Sequence, residues 1–183
     1  MAATIPGAGI TTPLTLTEDG NLDTLTLKST DTDANSAPIL NLFRDANSAA
    51  DNDFVGSIKF NADNDANEET QIYEIKAGIN DASDGTEDGM VRHSIMVGGT
   101  LSDVMTLDSS IVVFNDASND INFRVESNNL THALFVDAGN DCIGIGTSSP
   151  SPFRFHVDAD SSNNGVAKFN HSDSTPEGIR IIY

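Results

Sequence analysis

Apolar and polar positions alternate with a period of two through most of this chain. Val55, Ser57 and Lys59 fall on one side of a run whose other side is Gly56, Ile58 and Phe60. In the next run Ile72, Glu74 and Lys76 oppose Tyr73, Ile75, Ala77 and Ile79. Side chains of an extended strand point alternately to its two faces, so this pattern predicts half-buried strands over residues 55–60 and 71–79. Residues 90–97 and 101–107 repeat it around Gly98-Gly99, a dipeptide suited to a tight hairpin turn. Shorter runs at 111–114, 121–125 and 133–136 read as further strands, as do Leu25-Thr26-Leu27 and residues 38–43 upstream.

Polar stretches punctuate these runs at residues 29–37, 61–69, 80–89, 115–120 and 126–132. The third contains Asp84-Gly85 and Asp88-Gly89, both turn-forming pairs. No window of about a dozen residues keeps apolar positions at helical spacing without a Gly or an Asp/Asn cluster cutting it. The expectation is an all-β chain of about ten short strands and no helix.

Composition sharpens that expectation. Of the 28 acidic residues 21 are Asp and 7 are Glu, and 18 Asn and 14 Gly accompany them. Asp and Asn bond their own backbone two residues on and favour turns over helix interiors. Only 38% of the 183 residues are apolar and none is Trp, so one chain has little with which to build a thick core. Identical neighbours are an obvious way to complete it. The length suits one ordinary domain or several small modules in series.

A formal charge of -19 and a pI near 4.1 speak against nucleic acid or anionic lipid as partners. The strongly apolar runs, such as Ile111-Val112-Val113-Phe114, are four residues long, far short of the roughly 20 that cross a bilayer, so no membrane insertion is expected. Met-Ala-Ala-Thr-Ile lacks the charged start and apolar run of a signal peptide. With Cys142 alone, no disulfide within the chain and no two-thiol metal site is available.

A weak internal repeat is also present. Leu27-Lys28-Ser29-Thr30-Asp31 leading to Ala37-Pro38-Ile39-Leu40 resembles Val157-Asp158-Ala159-Asp160-Ser161 leading to Gly165-Val166-Ala167-Lys168-Phe169. Modules in series suggest a rod. The chain divides into a lead-in over residues 1–24, a β-module over 25–110, a second module over 111–157, and the start of a third over 158–183 that stops in an apolar strand at Tyr183.

Few residues invite chemistry. Gly144-Ile145-Gly146-Thr147-Ser148-Ser149 opens like a dinucleotide fingerprint but runs into Pro150 with no helix behind it. Asp51-Asn52-Asp53, Asp63-Asn64-Asp65 and residues 81–88 carry enough oxygens to suggest calcium, yet none follows the twelve-residue ligand pattern with its closing Glu. Among 28 acids, carboxylate pairs at the spacing of a glycosidase are inevitable and carry no information. His93, His132, His156 and His171 are too scattered to form a ligand pair, and Cys142 beside Ile143 reads as a small hydrophobe. We expect no catalytic residues, no cofactor and no bound metal.

From Val113 to Val157 the sequence runs VFNDASNDINFRVESNNLTHALFVDAGNDCIGIGTSSPSPFRFHV. The succession VFN, FRVES, HALFVD, GIGTSSP and a final HV strand resembles a module of tail-fibre proteins of tailed bacteriophages, especially marine ones. The stretch from Leu25 to Leu107, with GSIKFN, an acidic loop and DASDGTEDG before a hairpin, resembles the β-module preceding it in such fibres.

The resemblance implies an elongated, intertwined homotrimer of β-prism or β-helix-like modules, located on the virion after assembly in the host cytoplasm. One end would join other virion proteins, of tail or capsid, and the distal part would meet a host surface receptor. Three chains around one axis can pair sheet edges and share a narrow core, for which Phe123, Phe135, Ile143 and Ile145 are candidates. Gly144 and Gly146 would let backbones approach near that axis. In the lead-in, Ile5, Ile10, Leu14 and Leu16 are the candidates for attachment to the particle. The self-cleaving chaperone domain that ends many such fibres has no counterpart before Tyr183. Alternatives are a capsid fibre, a calcium-stabilised β-repeat adhesin and a glycan-depolymerising tailspike.

Overall fold

The computed structural model describes residues 13–159 and contains, among them, nine β strands and no helix. Two compact units divide the chain between Leu42 and Phe43. In the first, the described residues form no strand. Its order is local: the Glu18 carboxylate accepts from the Gly20 amide at 2.9 Å, and the Asp33 carboxylate from Asn35 at 2.7 Å. The strands expected at residues 25–27 and 38–43 are therefore not formed. Leu25, Leu27, Ile39, Leu40 and Phe43 stand exposed, and among the described residues their backbone pairs with no strand. Alternation alone cannot make a strand without a partner to complete the ladder.

The second unit opens with a loop, where Arg44 pairs with Asp53 at 3.5 Å and donates to the Phe54 carbonyl at 2.8 Å. Five antiparallel strands follow in sequence order: β1 (Phe54–Asp63), β2 (Glu69–Asp81), β3 (Asp88–Val97), β4 (Thr100–Leu107) and β5 (Val112–Phe114). Each turn is made by the residues that the composition marks for turns. Asn64 closes the β1–β2 turn, its side-chain oxygen accepting from the amides of Ala66 and Glu68. Gly85, Gly98 and Gly99 adopt positive φ at the next two turns, a conformation that costs glycine nothing. β1 runs on to Asp63, so three of the residues expected in a loop, Asn61, Ala62 and Asp63, are paired instead.

A second sheet follows: β6 (Phe123–Val125), β7 (Leu134–Asp137), β8 (Cys142–Ile145) and β9 (Phe155–Val157). The first three are antiparallel, and β9 joins β8 in parallel. The parallel pairing needs the chain to cross back over the sheet, and the connection between Gly146 and Arg154 does so by packing Pro150 into the interior. Very little else is interior: among the described residues the buried apolar side chains are Met90, Phe135 and Cys142, together with Pro150.

Candidate functional site

Residues paired across neighbouring strands point to the same face, so the register assigns every side chain of the first sheet to one of two faces. One face consists of three rows: Gly56, Ala77, Val91, Leu107 and Val112; Ile58, Ile75, His93, Met105 and Phe114; and Phe60, Tyr73, Ile95 and Ser102. None of the fourteen is Asp, Glu, Lys or Arg. Its polar members are mutually satisfied in part, since the Tyr73 hydroxyl and His93 Nδ1 share a 2.6 Å hydrogen bond. Phe60 leans on Tyr73 with ring centroids 5.6 Å apart. Among the described residues no strand lies over this face, and Ile58 (41%), Phe60 (52%) and Phe114 (51%) remain open to solvent.

The opposite face is polar and closed over by its own side chains. Asp103 accepts from the Ser94 hydroxyl at 2.6 Å and from Arg92 at 3.3 Å, and Lys76 pairs with Glu74 at 3.5 Å. Thr106 donates to Asp116 at 3.0 Å. Lys76 and Arg92 both lie over the Phe54 ring, at 4.5 and 5.6 Å from its centroid. Gly78 leaves room for Phe54 and the buried Met90, because a Cβ there would meet both within about 3 Å. Consequently Ser94, Glu74 and Thr106 are buried while the isoleucines behind them are not.

The second sheet repeats the division. Phe123, Val136, Ile143 and Phe155 share a face with Val125, Leu134, Ile145 and Val157. Among the described residues this face is only partly covered: Val125, Ile143 and Phe155 are exposed and the other five are half-buried. Phe135 and Gly144 point the other way, Gly144 under Thr147 and Pro150 and Phe135 at right angles to the His132 ring, 5.1 Å between centroids. The six candidates of the GIGT module are thus brought into one small sheet but divided between its sides. Phe123, Ile143 and Ile145 lie on the open apolar face, and Phe135 and Gly144 on the side that the chain covers itself. Gly146, just past β8, has φ +76° and lies against the Asp158 carbonyl, so backbone approach within one chain is sufficient reason for both glycines. Of the attachment candidates, Leu14 and Leu16 are exposed; Ile5 and Ile10 lie outside the described residues, as does His171 and the third module beyond Ala159.

The acidic loops use their oxygens on their own backbone. Asp51 accepts from Ala82 at 2.9 Å, Asp53 from Ala50 at 3.2 Å and Asp81 from Ser83 at 2.8 Å. The Ser83 hydroxyl and amide hold the Asp81 carboxyl below the usual range, and the amide and hydroxyl of Ser110 with the Ile111 amide do the same for Asp108. Among the described residues no three His, Cys, Asp or Glu side chains are placed to hold a metal ion. Cys142 is buried, its thiol donating to the Asn140 carbonyl at 3.0 Å.

The chain matches no protein-family model and no curated protein. The apolar face of the first, five-stranded sheet was not among the candidate residues drawn from the sequence. Its signal was nevertheless present, in the alternation that sets Ile58 and Phe60 against Ser57 and Lys59.

Proposed function

We propose that this protein is a structural fibre of a tailed-bacteriophage virion, a tail fibre that projects towards the host for adsorption and works without catalysis. The observation that carries this reading is the pair of single-layer sheets whose apolar faces, among the described residues, leave Ile58, Phe60, Ile95, Phe114, Ile143 and Phe155 exposed. Three or more strands need a covered hydrophobic face for stability. A subunit built this way is half of a structure, and thin modules in series completed by other copies make a rod rather than a globule. The VFN to HV module adds the resemblance to tail fibres. Three chains side by side would display several weak receptor contacts at once, so that adhesion is multiplied by avidity. Residues 1–24 would join the particle.

The test is the solution mass and shape of the purified chain, by light scattering and small-angle X-ray scattering. An elongated particle near three times 19.3 kDa is expected; a compact monomer would overturn the reading. Labelling of purified virions with an antibody against the chain then distinguishes a virion fibre from an adhesin of the cell surface.

A further inference from the structure

We infer that the apolar face of the first sheet is the principal surface through which copies of this chain join, and that its occupant is the same face of further copies. The inference goes beyond the fibre reading, which requires only that copies associate, by saying which surface does so. It also moves the centre of the assembly from the GIGT module to β1–β5.

Two observations select the occupant. The first is charge. In a chain of net charge -19, a surface that can lie against this face without burying an unpaired charge must itself lack ionised groups. The three rows that begin at Gly56, Ile58 and Phe60 contain no Asp, Glu, Lys or Arg and meet that condition. The sheet's other face, with Lys59, Glu74, Lys76, Arg92 and Asp103, does not. The second observation is continuity. Phe114 ends the apolar face of the first sheet and Phe123 begins that of the second, and their rings stack with centroids 4.9 Å apart. The two open faces therefore touch through these rings, which extends the exposed apolar surface beyond the first sheet. A copy of the chain offers the same surface.

Cysteine labelling tests this without disturbing the fold. Ile58 and Lys59 are neighbours on β1, both exposed in the single chain and on opposite faces. Ile58→Cys, Ile95→Cys and Lys59→Cys are made in the full chain and treated with a maleimide, with the buried Cys142 as internal control. The purified chain is the only protein present, and the labelling is repeated at dilutions where light scattering shows the oligomer to dissociate. Protection by other copies is then lost, whereas protection by the chain's own residues would persist and overturn the inference. Labelling of Ile58→Cys and Ile95→Cys at least tenfold slower than of Lys59→Cys, with the difference abolished in denaturant, is the expected result. Equal rates in a sample that light scattering shows to be oligomeric would overturn the face assignment and leave the fibre reading standing. A wild-type monomer would overturn both.

Discussion

Phe114 and Phe123 are nine residues apart in sequence, belong to different sheets, and stack at 4.9 Å with their planes inclined by 37°. This pair is where the apolar faces of the two sheets touch. Tilted aromatic pairs contribute about 0.5–1.5 kcal/mol beyond the area that they bury. A double-mutant cycle of Phe114→Leu and Phe123→Leu, read by thermal or urea unfolding, should return a coupling of that order. Additive effects would mean that the rings do not support each other and that the sheets are joined only by the chain between them.

Gly146 supports a second prediction. Its φ of +76° and its close approach to the Asp158 carbonyl leave no place for a side chain, whereas Gly99, with φ +84°, has open space around the missing Cβ. Alanine at either position incurs a backbone penalty of about 1 kcal/mol or more. Gly146→Ala adds a collision that can be relieved only by moving β9, so it should be clearly the more destabilising of the two. Equal losses in unfolding experiments would refute that ranking.

Much of this fold was legible in the sequence, because two-residue alternation and turn dipeptides are local signals. Asp84-Gly85 and Gly98-Gly99 mark the turns into β3 and β4, and the opposed sets around Ile58 and Ile75 do face opposite ways, but Asp88 and Gly89, expected in the same loop, open β3 instead, paired with Asp81 and Ile79. Non-local choices were not legible. Leu25 and Leu27 alternate as well as any strand residue, yet among the described residues no strand pairs with them. The parallel pairing of Ile143 with Phe155 depends on how residues 146–154 cross the sheet, which no dipeptide encodes. The same crossing sets Phe135 and Gly144 on the covered side and Ile143 on the open one, so a run of apolar residues and glycines could be assigned to a core but not to one side of it.

Asp103 holds the polar face together, and its removal should be costly. It accepts from Ser94, which is 1% exposed, and pairs with the half-buried Arg92. Asp103→Ala leaves a buried hydroxyl without its acceptor and a guanidinium without its counter-charge, a loss of about 1–3 kcal/mol. Asp103→Asn keeps an acceptor for Ser94 and should lose less. Unfolding of the two variants beside wild type checks the order, and an Ala variant as stable as wild type would show that water replaces both bonds.

Chelation tests the alternative role of the acidic loops. Asp51, Asp53 and Asp81 already cap backbone amides at 2.8–3.2 Å, which gives these loops a structural task without an ion. Treatment with EDTA should leave the melting temperature unchanged within about a degree, since loss of a site bound well above its dissociation constant would cost several degrees. A large drop, restored by calcium, would revive the calcium-stabilised reading and give the loops a ligand.

Acid should act through the turn carboxylates, and Asp108 is the clearest case. The Ser110 amide, the Ser110 hydroxyl and the Ile111 amide all donate to one of its oxygens, at 2.7, 2.7 and 3.0 Å, and hold its pKa below the ordinary 3.8. A carboxyl whose pKa is lower in the folded than in the unfolded chain stabilises the fold fully above the unfolded value. That contribution is lost as pH falls through the folded one. Asp108→Asn, which keeps the acceptor oxygen but not its charge, should therefore be less stable than wild type at pH 7. The two should converge as the pH is lowered from about 5 to below 3. Melting temperatures of both proteins across that window measure the gap directly. A gap that stays constant with pH would show that the turn depends on the acceptor's shape and not on its charge.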